Sequence, residues 1–207
     1  PRMLEPFDLF RGLPAELAAR LGASAREERV GFGQVALREG ESPRRLLLVA
    51  EGSLRVTRQT PLGEVSLGLL GPGQACGEEA FLSGQAHANT YRAAGETTLV
   101  SLEGDALRRA CRSFPPLEAR LRERAERVRL REQLLLQARF ARDLPPQALE
   151  HLLERFQADS CAAGEPVSIH EPGLYVLREG ELVVRSGPLV VGRILPGDTF
   201  AEDHLLG

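Results

Sequence analysis

The chain has 207 residues, 43% hydrophobic and 27% charged, which supports a packed core and excludes global disorder. A formal net charge of −3 gives no general attraction for nucleic acid or an anionic membrane. All 26 basic residues are arginine, a bias expected of a GC-rich genome rather than of selected phosphate contacts.

The lead-in over 6–21 reads as helical. Leu13-Pro14 precedes a run in which Leu17 and Leu21 share a face, and Gly22 is expected to end the helix. From 28 to 101 short strands alternate with glycine turns. Strands are expected at 28–30, 35–37, 46–50, 53–57, 65–70, 90–94 and 98–102, with turns at Gly40-Glu41-Ser42-Pro43 and Glu51-Gly52 and a hairpin loop over 59–63. Many short strands with regular glycine turns indicate a sandwich, roll or jelly-roll barrel. Gly104-Asp105-Ala106-Leu107 opens a further helix, which Phe114-Pro115-Pro116 ends.

The longest helical candidate spans 117–139. Leu117, Leu121, Ala125, Val128 and Leu135 lie near one face, and arginines and glutamates cover much of the rest. Two readings stand side by side: a solvated amphipathic helix packed on its own roll, or a dimerisation helix with a near-heptad stripe.

After it the opening pattern returns. Leu144-Pro145 mirrors Leu13-Pro14, Gly164-Glu165-Pro166-Val167 mirrors Gly33-Gln34-Val35-Ala36, Tyr175 to Val184 mirrors Leu47 to Val56, and Leu195 to Glu202 mirrors Gly71 to Glu78. The offset falls from 131 (Leu13 to Leu144) to 128 (Leu47 to Tyr175) and then to 124 (Gly71 to Leu195), as one unit repeated with shorter loops would give. The second copy stops at Gly207, before the strand that would follow its cassette. Either the chain is a piece of a longer protein or a partner supplies the remaining strands.

The stretch over 71–92 carries the chemistry. Gly71-Pro72-Gly73 is a turn, Gly77-Glu78-Glu79-Ala80 opens one helical turn, a small-residue loop follows, and His87-Ala88-Asn89-Thr90-Tyr91-Arg92 enters a strand. Backbone N–H groups at such a turn, approached closely because of the glycine, suit an anion. On alternation, His87, Asn89 and Tyr91 point one way and Ala88, Thr90 and Arg92 the other. The stretch resembles the phosphate-binding cassette of cyclic nucleotide-binding domains, the family of the catabolite activator protein and the protein kinase A regulatory subunit. Gly77, Glu78 and Ala80 match that family's pattern, Cys76 and Phe81 stand for its Phe and Leu, and His87 stands where its phosphate-binding arginine would be.

The resemblance implies a mainly β fold with helices: tandem double-stranded β-helix (jelly-roll-like) domains joined by a long α-helix, over 1–116, 117–139 and 140–207. It implies a ligand site at Gly77, Glu78, Glu79, Ala80, His87, Ala88 and Asn89, with Glu78 on a ribose hydroxyl. Arg124 or Arg127 of the long helix would contribute charge, and Ala201 and Glu202 would form an altered second cassette. The ligand implied is a cyclic nucleotide (cAMP or cGMP) or a cyclic dinucleotide. His87 has two readings: a functional one, either a weaker or pH-dependent phosphate contact or a site retuned to another ligand, and a surface-loop histidine in a domain that kept the fold and lost the ligand.

Cys76, Cys111 and Cys161 are far apart and without metal spacing, so buried free thiols are expected. His151, His170 and His204 read as surface residues, and no metal site is expected. No signal peptide or bilayer-spanning run is visible, so a cytoplasmic protein is expected. No enzyme motif is present, and a non-enzymatic role is expected. Three functions fit: a regulatory sensor that relays nucleotide binding through the 117–139 helix, a ligand-free dimerisation or protein-interaction scaffold, and the sensor part of a transcription regulator that reads DNA only outside this chain.

Overall fold

A computed structural model describes residues 3–137, 141, 143–169 and 173–200. The chain divides into two compact units, Pro1–Val128 and Arg129–Gly207.

In the first unit a 3-10 turn, Asp8–Phe10, leads into α1 (Ala15–Ser24). Eight strands follow: β1 (Ala25–Val30), β2 (Val35–Leu37), β3 (Arg45–Glu51), β4 (Leu54–Thr60), β5 (Gly63–Leu70), β6 (Ala75–Cys76), β7 (Thr90–Ala93) and β8 (Thr97–Glu103). A short helix, α2 (Glu78–Ser83), lies between β6 and β7; α3 (Gly104–Ser113) and α4 (Pro115–Gln137) follow β8. The strands form two antiparallel four-stranded sheets, ordered β1-β8-β3-β6 and β2-β7-β4-β5.

Strand β3 is the spine. Leu46, Leu47, Leu48 and Val49 are all buried, so the strand is covered on both faces rather than one. Leu46 and Leu48 pack with Leu21 of α1, Leu107 and Ala110 of α3, and Leu117 and Leu121 of α4. The first half of the α4 stripe is therefore spent on the helix's own unit, which favours the first of the two readings of that helix over a coiled coil there.

Several boundaries differ from expectation. Gly22 does not end α1: it is buried, and the helix continues to Ser24, whose hydroxyl donates to the Leu21 carbonyl at 2.7 Å. The loop over 59–63 shrinks to Pro61-Leu62, because Thr60 pairs with Gly63 and its hydroxyl donates to the Gly63 carbonyl at 2.7 Å. The Phe114-Pro115-Pro116 break separates α3 from α4 by one residue only; the prolines sit in the first turn of α4, where a missing N–H costs no helical bond. Strand β6, two residues long, was not expected.

Two of the three cysteines are buried as expected; Cys161 is exposed. Burial, reinforced by Glu78, pushes the Cys76 thiol well above its ordinary value. Burial, reinforced by Glu118, pushes Cys111 up to about 11. Only a thiolate reacts readily. A thiol reagent at pH 8 is thus expected to modify one of three cysteines in the native chain and all three after denaturation; fast native labelling of Cys76 would contradict this packing.

In the second unit α5 (Pro146–Arg155) precedes β9 (Tyr175–Val176), β10 (Leu182–Ser186), β11 (Leu189–Ile194) and β12 (Thr199–Phe200). Its core gathers Leu134, Ala141, Leu149 and Leu153. The pairs are β10-β11 and β12-β9, both antiparallel. His151 is exposed; His170 and His204 lie outside the described residues. Among the described residues no helix is long and apolar enough to cross a membrane, and no group of three His, Cys, Asp or Glu could hold a metal.

Candidate functional site

The site is built from the segment between β6 and β7. Cys76 pairs with Leu47 in the sheet, and the chain then turns at Gly77, whose φ is +97°. A Cβ at Gly77 would lie 3.3 Å from the Arg45 carbonyl oxygen, 3.3 Å from His87 Cε1 and 3.6 Å from Leu37 Cδ1. The left-handed backbone and these neighbours both favour glycine there. The turn delivers Glu78 and Ala80 inward, where both are buried, and leaves Glu79 half-buried.

Glu78 has a cationic partner. Arg124 of α4, 46 positions later, places Nε 3.3 Å from Glu78 Oε1 and donates to it; the Glu78 side chain is 5% exposed and that of Arg124 33%. A carboxylate so buried requires a partner, and a forked guanidinium supplies one. Arg127 is placed otherwise: it lies outward and pairs with Glu123 at 3.3 Å.

The strand-entry residues alternate: His87, Asn89, Tyr91 and Ala93 are buried, while Ala88 and Arg92 are exposed. His87 is therefore not a surface-loop residue; it is 4% exposed. Its backbone is pinned at both groups, its N–H donating to the Glu41 carbonyl at 2.9 Å and its carbonyl accepting from Gly40 at 2.8 Å. Its Nε2 is buried without a hydrogen-bond partner among the described residues. Burial holds the imidazole below its ordinary pKa, with Glu41 opposing and Arg45 adding to the effect.

Asn89 accepts from Arg58 Nε at 2.8 Å, and its amide lies 3.4 Å from the Tyr91 hydroxyl. Arg58 also donates to the Ala88 carbonyl at 3.2 Å. Arg45, next to Gly77 in space, donates through Nη1 to both oxygens of Glu28 at 2.7 and 2.8 Å and through Nη2 to the Ala36 carbonyl at 3.0 Å. Arg45 and Arg58 were not singled out from sequence; no motif marks either, and only their strand partners bring them here. Ala201 and Glu202 lie outside the described residues.

Comparison with known proteins bears on the fold of the first unit. Residues 27–114 match the family model described as the cyclic nucleotide-binding domain. The chain is 32% identical over 117 residues to a cyclic nucleotide-gated potassium channel of Mesorhizobium japonicum, a match covering 56% of this chain and 31% of the channel. Among solved structures, the catabolite activator protein of Thermus thermophilus is 30% identical with a TM-score of 0.53, covering 60% of this chain and 58% of that one. The regulatory subunit of a cAMP-independent protein kinase A from Trypanosoma cruzi, bound to guanosine, has a TM-score of 0.55 at 18% identity, covering 60% of this chain and 44% of that one, and shows the fold alone. The chain thus spans about a third of the channel and less than two thirds of either structure. Residues 27–114, within the first unit, thus have the β-roll that resembles the cyclic nucleotide-binding domain.

Proposed function

We propose that the first unit is the sensor of a regulatory module, in which a nucleotide-class ligand at the cassette competes with Arg124 for Glu78 and so biases helix α4. The observation that carries this reading is the Arg124–Glu78 contact, which ties the cassette to the helix. A ligand hydroxyl donating to Glu78 substitutes for the guanidinium, and only a ligand that prefers one helix position can transmit a change. Continuity supports a relay: α4 runs unbroken from Pro115 to Gln137, and its Leu134 is fully buried in the core of the second unit. The cyclic nucleotide comes to this chain from the channel's name and the family match; cAMP or cGMP would set its phosphate against His87.

The tandem reading is supported by register. Leu47 pairs with Cys76 and Leu48 with Ala75; the offset equivalents Tyr175 with Phe200 and Val176 with Thr199 pair likewise. Val56 pairs with Gly68 before a bulge at Thr57, and Val184 pairs with Gly192 before a bulge at Arg185. A ligand-free scaffold is the second reading, favoured by Glu78 already holding a partner in the chain itself. A homodimer or protein contact through α4 would then use its charged outward face, since Leu117 and Leu121 are spent. A DNA-reading region outside this chain would make the same sensor part of a transcription regulator.

The test is hydrogen exchange along residues 120–130 with and without saturating cAMP, cGMP, a cyclic dinucleotide, adenosine and guanosine, each also scored by thermal shift. Altered protection of α4 together with a raised melting temperature is expected for at least one ligand. Silence from all five at millimolar concentration leaves the scaffold reading in place.

A further inference from the structure

Resting on the sensor reading, we infer that the cassette takes a ribonucleoside-class ligand, meeting His87 with a neutral hydrogen-bonding group, in preference to one that sets a phosphate there.

The His87 ring lies against Gly77, with Cε1 3.3 Å from where a side chain would begin, and its Nε2 is buried and unpartnered. One neutral ring nitrogen calls for one hydrogen bond, accepted or donated according to tautomer. A hydroxyl or a base edge supplies that bond, and burying it unsatisfied costs more than leaving the group in water.

A phosphate asks for more. It is held by charge-assisted donors, of which a forked arginine is the strongest. Three arginines on the strands around the cassette are already engaged: Arg45 holds both oxygens of Glu28 through Nη1 and the Ala36 carbonyl through Nη2, Arg58 is bonded to Asn89 and Ala88, and Arg92 to the Gly33 carbonyl at 2.6 Å. A cyclic phosphate at His87 would face an imidazole kept neutral by burial, with the Glu78 carboxylate in the same cassette. Ribose suits both groups: a vicinal hydroxyl donates to Glu78 while another polar group of the nucleoside meets Nε2.

Burial sets the direction of the His87 pH response, and the charged groups around it modify it. Glu41 in the β2-β3 loop favours the imidazolium, Arg45 on β3 opposes it, and Leu37 on β2 offers nothing. Because the folded-state pKa is lowered, the ring is neutral at pH 7.5 and gains charge only below the ordinary histidine range. A phosphate therefore gains affinity as pH falls, and a nucleoside does not.

The test is calorimetry on the whole chain with adenosine, guanosine, cAMP and cGMP at pH 7.5 and pH 5.5. At pH 7.5 a nucleoside is expected to bind about tenfold or more tighter than its cyclic phosphate, and at pH 5.5 the gap narrows. His87→Arg is expected to shift the preference towards the cyclic nucleotide by about a hundredfold. Should that variant not fold, His87→Gln, neutral and able to make one bond, is expected to keep the nucleoside preference and lose its pH dependence. A cyclic nucleotide that binds tighter than its nucleoside at pH 7.5 overturns this inference and leaves the sensor reading intact. No heat from any of the four at millimolar concentration overturns both.

Discussion

Gly52→Ala is expected to cost the first unit about 3 kcal/mol or more, a large share of a stability that totals about 5–15 kcal/mol for a domain. Gly52 turns β3 into β4 with φ +78°. A Cβ there would lie 2.8 Å from both Cα and Oγ1 of Thr97, and closer still to the Glu96 carbonyl oxygen. The Glu96 oxygen and the Thr97 Cα are backbone atoms at the entry to β8, so rotating the Thr97 side chain alone does not relieve the clash. The turn must lift, and the Thr97 hydroxyl then loses the Ser53 carbonyl, to which it donates at 3.0 Å. The left-handed conformation itself costs about 1–2 kcal/mol for a residue with a side chain. Gly40→Ala is the control: its φ is +83°, but nothing lies within 4 Å of its Cβ position. Urea unfolding of the two variants separates clash from conformational cost. Equal losses would mean that the Glu96–Thr97 contact is not tight.

Arg124→Ala is expected to be the second largest change, about 2 kcal/mol. Removing one partner of a buried ion pair costs about 3–5 kcal/mol when both are dry; Arg124 is one-third exposed, and water recovers part of that. Glu78 is left buried without its cation. Glu78→Gln in the same background removes the stranded charge, so the double variant is expected to be more stable than the sum of the single losses predicts, by about 1 kcal/mol or more. Additive losses in a urea double-mutant cycle would show that the two side chains are adjacent without being coupled. Under the proposed competition, Arg124→Ala also tightens ligand binding, since Glu78 no longer has to be released first.

How much of this could be read from residues varies with the physics at each place. Strand β2 over 35–37 was legible to the residue, because Val35, Ala36 and Leu37 stand between glycine turns. Strands β1 and β4 run longer than expected: Arg26, Glu27, Arg58 and Gln59 lie on wet or edge positions and hide a ladder that depends on partners far along the chain. Strand β6 has two small residues and no period to detect. Alternation at 87–92 correctly separated two faces, but three polar side chains, His87, Asn89 and Tyr91, do not announce that theirs is the buried one. The glycine turn and the helical turn after it were recognisable from Gly77, Glu78 and Ala80. That Arg124 rather than Arg127 reaches Glu78 was not, since helical spacing alone does not say which turn of α4 passes the site.

The position of β8 has a consequence for the order in which the chain comes together. It lies between β1 and β3, so Ala25 and Leu46 both wait for Leu102, and the core over Leu46 and Leu48 is finished by Leu117 and Leu121. Among the described strands of the first unit, only the β4-β5 hairpin, closed between Thr60 and Gly63, can zip from neighbouring residues. Pairings this far apart must meet a loop-closure cost before any burial rewards them, which makes folding slow. During synthesis the ribosome must release the chain as far as α4 before the first unit can close, so the helix that reaches Glu78 is also the last piece its fold waits for.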